Sequence, residues 1–157
     1  MKVLVICSGN ICRSPMAAEY LRHRAAGSGL SHLVVDSAGL LGIEGAPAAA
    51  DAIRALREDG LDLTAHRSKG LRKSDLRTAD LVIAMSLDHL DALEELYPDG
   101  SGARYLIRAF ESGADPIGGA PELEDPIGTD LETFREQYRR IKICIDHLVL
   151  HLRHQAV

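Results

Sequence analysis

The sequence predicts a single three-layer α/β/α domain, residues 1–157, built on a four-stranded parallel sheet with an anion-binding loop after the first strand. Two short apolar runs, Val3-Leu4-Val5-Ile6 and Leu81-Val82-Ile83-Ala84-Met85, have the length and continuity of buried strands. Helical patterns separate the strand runs, and such β-α-β alternation is what a parallel sheet covered by helices requires. Residues 131–152 repeat apolar side chains at alternating spacings of three and four, which supplies a long closing helix.

The first strand spans residues 2–6. A polar loop follows, and Ser14-Pro15 reads as the N-cap and first position of a helix over 15–26, ended by Gly27-Ser28-Gly29. Leu33-Val34-Val35 is the second strand, running into Asp36-Ser37-Ala38-Gly39. After a loop of small residues at 40–45, a helix over 47–59 turns Ala49, Ile53 and Leu56 inward and is closed by Gly60. A short helix begins near Ser74. Residues 80–85 form the third strand, and Ser86 caps a helix to Tyr97 with Leu87, Leu90, Leu93 and Leu96 as its apolar side. Residues 98–102 are a turn and 104–107 the fourth strand. Two near copies then appear, Asp115-Pro116-Ile117-Gly118 and Asp125-Pro126-Ile127-Gly128. The second runs straight into Thr129-Asp130-Leu131-Glu132, a capping-box pattern that opens the last helix and ties Asp125 to a rigid start.

The loop Cys7-Ser8-Gly9-Asn10-Ile11-Cys12-Arg13-Ser14 carries the chemistry. It lies between a strand end and a helix N-terminus, where backbone N–H groups and the helix dipole converge on an anion. Arg13 adds a rigid fork of donors that matches two oxygens of a tetrahedral oxyanion. Gly9 permits a tight turn, and Asn10 tolerates an unusual backbone conformation. A helix N-terminus and a nearby cation favour the thiolate form of Cys7, and Ser14 can cap the helix, bond the Cys7 sulfur, or do both. The assembly suits attack by sulfur on a bound oxyanion. A structural disulfide or metal pair from Cys7 and Cys12 finds no second cysteine pair and no histidine at ligand spacing. The Gly-x-x-x-x-Gly-Lys-Ser/Thr pattern of nucleotide loops is absent. No metal or cofactor is called for, because Arg13 and the backbone supply the positive field.

Cys7-x-Gly9-Asn10-x-Cys12-Arg13-Ser14-Pro15 resembles the nucleophile loop of the low-molecular-weight protein tyrosine phosphatases, and the resemblance covers nearly the whole chain. It implies a hydrolase that removes phosphate from protein phosphotyrosine through a phosphocysteine. In that scheme Cys7 is the nucleophile and Arg13 with Ser8, Gly9, Asn10, Ile11, Cys12 and Ser14 binds phosphate. Asp125 is general acid and then base, with Asp115 as the rival copy. Ser37 and Asp36 would brace the loop from behind, and His66 could bond Asn10. The resemblance also implies a reversible Cys7–Cys12 disulfide under peroxide and a phosphorylated protein as partner; whether a tyrosine kinase is its counterpart the sequence leaves open. Within the family, threonine in the Ile11 slot accompanies phosphoarginine and a larger aliphatic residue accompanies phosphotyrosine, so Ile11 points to phosphotyrosine. Against that, Ile127 stands where tyrosine-directed relatives carry an aromatic residue, and Leu41 and Ile43 add no aromatic wall. A protein arginine phosphatase of the same fold is the alternative. An arsenate reductase would need a later cysteine pair, and only Cys144 follows. A non-catalytic phosphate-binding module would be expected to lack Cys7, Arg13 or the acid.

Composition narrows the setting. With no tryptophan and 4% aromatic residues, the core must rest on Leu, Ile, Val and Ala. A net charge of −5 argues against nucleic-acid binding. No stretch is long and apolar enough to span a membrane, and the N-terminal apolar run is too short for a signal peptide. Three cysteines without an export signal predict reduced thiols in the cytoplasm. Cys144 reads as a core thiol, and His147, His151 and His154 as a solvated helical face rather than a metal site.

Overall fold

Strand β1, Lys2–Cys7, is the apolar axis of the molecule, with Val3 through Ile6 wholly buried. The computed structural model describes residues 1–111 and 121–156. Around β1 stand α1 (Arg13–Ala26), β2 (Val34–Gly39), α2 (Ala50–Arg57), α3 (Lys73–Thr78), β3 (Leu81–Ala84), α4 (Leu87–Leu96), β4 (Ala103–Leu106), a 3-10 turn at Ile107–Phe110 and α5 (Leu131–Gln155). The described strands form one four-stranded sheet, ordered β2-β1-β3-β4, with every pairing parallel.

Alternation along β1 sorts the core into two layers. Val3, Val5 and Cys7 join the cluster beneath α1, α2 and α5, whereas Leu4 and Ile6 join the one beneath α3 and α4. The chain leaves β1 for β2 on one side and later crosses to β3 on the other. The carboxyl end of β1 is therefore the topological switch point, where open α/β sheets bind ligands.

Several boundaries differ from the sequence expectation for physical reasons. Helix α1 begins at Arg13, with Cys12 at the N-cap and no capping side chain, so Ser14 lies inside the first turn and its hydroxyl is directed elsewhere. Helix α2 is shorter than 47–59, and it buries Ala52, Ala55 and Leu56 while Ala49 and Ile53 stay half-buried. On α4 the buried residues are His89 and Leu93; Leu87 and Leu96, expected inward, are exposed. Ile107 leaves the sheet for the 3-10 turn. At α5 the cap is Asp130, not Thr129: its carboxylate accepts from the Thr133 N–H at 2.9 Å. Cys144 is fully buried on that helix. His147 Nδ1 is 2.6 Å from the Phe110 carbonyl oxygen and His151 Nε2 is 2.9 Å from the Gln155 amide nitrogen, contacts that occupy two of the three helical histidines. No helix among the described residues is long and apolar enough to cross a membrane.

Candidate active site

The loop between β1 and α1 is held open by its carbonyl groups. Cys7 O accepts from Leu40 N–H at 3.0 Å, Ser8 O from Leu41 N–H at 2.9 Å, and Ile11 O from Ala49 N–H at 2.8 Å. Asn10 O accepts from His66 Nε2–H at 2.7 Å, and Cys12 O from Met16 N–H at 3.2 Å. In a trans peptide the carbonyl and the next residue's N–H point in opposite directions, and the described chain has no cis bond. With these carbonyls turned outward, the N–H groups of Ser8, Gly9, Ile11, Cys12 and Arg13 face the loop's interior. That is a nest of donors for an oxyanion at a helix N-terminus.

Asn10 is the hub. It is fully buried, holds a left-handed φ of 58°, and is saturated with partners. Its Nδ2 donates to Ser14 Oγ at 2.8 Å and to Ser37 Oγ at 2.9 Å, its Oδ1 accepts from Lys69 N–H at 3.0 Å, and its own N–H reaches Cys7 Sγ at 3.2 Å. Ser14 Oγ lies 3.0 Å from Cys7 Sγ, so the hydroxyl released from capping is aimed at the sulfur. Ser37 and His66 thus both meet Asn10, one through its amide and the other through its carbonyl. Asp36 makes no hydrogen bond to the loop among the described residues. Its carboxylate pairs with Lys69 Nζ at 2.6 Å; burial alone would raise its pKa, but Lys69 and the Ser37 N–H outweigh that and hold it below the ordinary range.

Cys7, 2% exposed, lies among the lining of a cleft of about 170 Å³. Arg13, 4% exposed, joins it: Nη1 donates to the Leu123 carbonyl at 2.9 Å, Nη2 lies 3.5 Å from Asp125 Oδ2, and Nε has no partner among the described residues, a donor available to an anion. Asp125 stands at the cleft edge with its side chain 41% exposed, and its Oδ1 accepts from Ile127 N–H at 3.1 Å. Burial pushes the Cys12 thiol up to about 12, with Asp125 and Cys7 adding to the effect, so Cys12 stays protonated at neutral pH and is no rival nucleophile. Ile11, Leu41, Ile43 and Ile127 complete the cleft as an aliphatic wall. Asp115 lies outside the described residues.

Four contributors escaped the sequence reading. Leu123 N–H bonds Met85 O at 2.9 Å while its carbonyl takes Arg13, so one buried residue ties the Asp125 loop both to the end of β3 and to the guanidinium. Glu122 beside it accepts from the Leu87 N–H at 2.7 Å, capping α4. Gly39 faces the loop so closely that a Cβ there would lie 2.8 Å from Ser8 O and 2.9 Å from Asn10 N; any larger residue would displace the nest. His89, 4% exposed on α4, brings Nε2 to 2.9 Å from Ser8 Oγ. Its one sequence signal was its place four residues before Leu93, on the buried stripe.

The buried histidines make the fold sensitive to acid. Burial, reinforced by Arg13, pushes the His89 pKa down to about 4 from an ordinary 6.5, and burial lowers that of His66. A depressed histidine pKa means that the unfolded chain takes up the proton first as pH falls, so stability is full above pH 6.5 and drains away toward pH 4. For His89 alone the loss is on the order of 3 kcal/mol. The urea midpoint is expected to fall steadily between pH 7 and pH 4.5, and to fall less in His89→Asn; a flat midpoint over that range would refute the assignment.

Comparison with known proteins places this geometry. The family model described as low molecular weight phosphotyrosine protein phosphatase matches residues 2–157. A low molecular weight protein-tyrosine-phosphatase of Streptomyces coelicolor is 35% identical, aligned over 99% of this chain and 95% of its own. A protein-arginine-phosphatase of Geobacillus stearothermophilus is 34% identical over 94% and 93% of the two chains. The crystal structure of a low molecular weight protein tyrosine phosphatase from T. tengcongensis superposes with a TM-score of 0.86 at 35% identity, covering 96% of this chain and 99% of that one.

Proposed function

Because the chain belongs to the low molecular weight phosphotyrosine protein phosphatase family, we propose that it hydrolyses phosphotyrosine in proteins, with Cys7 as nucleophile and Asp125 as proton donor. The sulfur of Cys7 attacks phosphorus, forming the S–P bond as the P–O bond to the tyrosyl oxygen breaks, and Asp125 delivers a proton to that oxygen. The inward N–H groups of the loop and Arg13 hold the equatorial oxygens as their charge redistributes. Water then attacks phosphorus, Asp125 takes its proton, the S–P bond breaks, and phosphate leaves. The Ser14 hydroxyl, 3.0 Å from Cys7 Sγ, stabilises the departing thiolate.

The observation that carries the substrate is the make-up of the cleft. Cys7 is almost wholly buried, so the phosphoryl group must arrive on a long side chain. Four aliphatic side chains, Ile11, Leu41, Ile43 and Ile127, line the approach, against one carboxylate, Asp125, among the described residues. Such walls bury an aromatic ring well and leave a guanidinium short of acceptors. Turnover of phosphotyrosine and phosphoarginine peptides of matched sequence is therefore expected to favour phosphotyrosine. Equal or faster release from phosphoarginine would transfer the reading to an arginine phosphatase, the activity named for the Geobacillus relative.

A phosphotyrosine substrate requires a tyrosine kinase as its source, and the three free thiols suit the cytoplasm. The proposal extends to redox control: peroxide would oxidise Cys7 and Cys12 to a disulfide, being itself reduced to water, and so spare Cys7 deeper oxidation. Both are free thiols in the structure and both line the cleft. Peroxide inactivation is expected to be reversed by thiols in the wild type and not in Cys12→Ser; full recovery of that variant would discard the disulfide.

A further inference from the structure

His89 is used by no step above, yet it is buried at the third position of α4 and touches the residue next to the nucleophile. We propose that His89 is a positioning residue of the reaction: its Nε2–H donates to Ser8 Oγ, which turns the Ser8 hydroxyl proton into the cleft as an additional donor to the phosphoryl group. The inference rests on the phosphatase reading and deepens it.

The tautomer follows from partners. A neutral imidazole carries one proton. On Nδ1 it would be a buried N–H without an acceptor, since Nδ1 has no partner among the described residues. On Nε2 it meets Ser8 Oγ at 2.9 Å. Nδ1 is unpaired in either tautomer, so the choice is made at Ser8: beside an anion, the arrangement that leaves the Ser8 hydrogen free for the cleft is favoured, and it places the proton on Nε2. The ring stays neutral first because it is buried, and the Arg13 guanidinium, which approaches the same Ser8 oxygen at 3.5 Å, and its place in the first turn of α4 act in the same sense. Asp88, Glu122 and Asp125 act in the opposite sense, but burial and Arg13 outweigh them.

Ser8 Oγ then receives two N–H groups, one from His89 and a longer one from Arg13. Its own hydrogen cannot point at either donor. Ser8 lines the cleft beside Cys7, so the remaining direction is toward the bound anion. In the opposite tautomer the ring would absorb the hydroxyl proton and Ser8 would present only lone pairs to a negatively charged substrate. The Ser86 cap, which accepts from the His89 N–H at 3.3 Å, fixes the residue that makes this choice.

The test is steady-state kinetics on p-nitrophenyl phosphate with His89→Ala, His89→Gln, Ser8→Ala and the double variant His89→Ala/Ser8→Ala. His89→Ala and Ser8→Ala are each expected to lower kcat/KM about tenfold. Because both remove the same donor, the double variant should fall less than about twofold below Ser8→Ala alone. His89→Gln, which can offer an amide N–H near the Nε2 position, should recover most of the loss. Multiplicative losses in the double variant, or His89→Ala kinetics equal to the wild type, would overturn the proposal. Imidazole nitrogen NMR of the unsubstituted protein decides the tautomer independently, without relying on any variant to fold: a protonated Nε2 with bare Nδ1 supports the proposal, and a protonated Nδ1 overturns it. Wild-type turnover lost in Cys7→Ser establishes the underlying reaction separately. Absence of such turnover would defeat the phosphatase reading, while the tautomer would still be decided by NMR.

Discussion

Replacing Cys7 with serine is expected to lower turnover of p-nitrophenyl phosphate by on the order of 10⁴-fold or more while inorganic phosphate still binds. The two halves of that result have different origins. Turnover needs a nucleophile as reactive as a thiol, which a serine hydroxyl is not, and no imidazole is bonded to the Cys7 sulfur among the described residues to activate one. Binding depends on the inward N–H groups and on Arg13, whose positions are set by the outward carbonyl bonds, by Asn10 and by Leu123. None of those contacts requires sulfur. Phosphate protection against thermal unfolding therefore reports an intact nest in the inactive variant. Unchanged turnover in Cys7→Ser would remove the central claim. Loss of both turnover and phosphate binding would show that the substitution had collapsed the loop.

Asp125→Asn is expected to cost about 10²–10³-fold in kcat, within the usual range for a removed general acid. The loss should grow with the basicity of the leaving oxygen, being larger for phenyl phosphate than for p-nitrophenyl phosphate, because a poorer leaving group depends more on the donated proton. The carboxamide keeps the shape and the acceptor for the Ile127 N–H, so the Asp-Pro turn should survive. Asp115→Asn, measured in parallel, should lie within a few-fold of the wild type. A larger loss in Asp115→Asn, or one independent of leaving group in Asp125→Asn, would move the acid role elsewhere. The structure supplies the reason to favour Asp125: it stands 3.5 Å from Arg13, and Leu123 two residues earlier is bonded both to Arg13 and to Met85. Capping of α5 was the expected anchor, and it is only half of the restraint.

The strands and the loop after β1 were legible because they are local. A buried parallel strand is a short uninterrupted apolar run, and β1 and β3 look like that in sequence. The pairing of a cysteine, a glycine and an arginine ahead of Ser14-Pro15 marks a strand-loop-helix anion site within one short stretch of chain. Where burial departs from the local pattern, distant neighbours decided it. A periodic row of leucines suggested the inner side of α4, yet packing against the sheet and Ser8 selected His89 and Leu93 and left Leu87 and Leu96 in solvent. Ser14 had every local mark of an N-cap, but a thiol and a buried asparagine compete for its hydroxyl, and the helix starts two residues earlier.

By itself, then, the sequence determined the layer order and the position of the loop after the first strand, and it pointed to the sulfur, guanidinium and carboxyl groups on which the proposed chemistry draws, since hydrophobic period and residue type are properties of neighbouring positions. Only the tertiary structure decided how those groups are aimed. Leu40, Leu41, Ala49 and His66 take the loop carbonyls, Gly39 presses against the loop backbone, Leu123 bridges Arg13 to β3, and His89 lies beneath Ser8. All of them act across sequence separations that no local pattern encodes. An oxyanion site is a matter of which way each N–H points, and in this chain that direction is set by partners brought together by the fold.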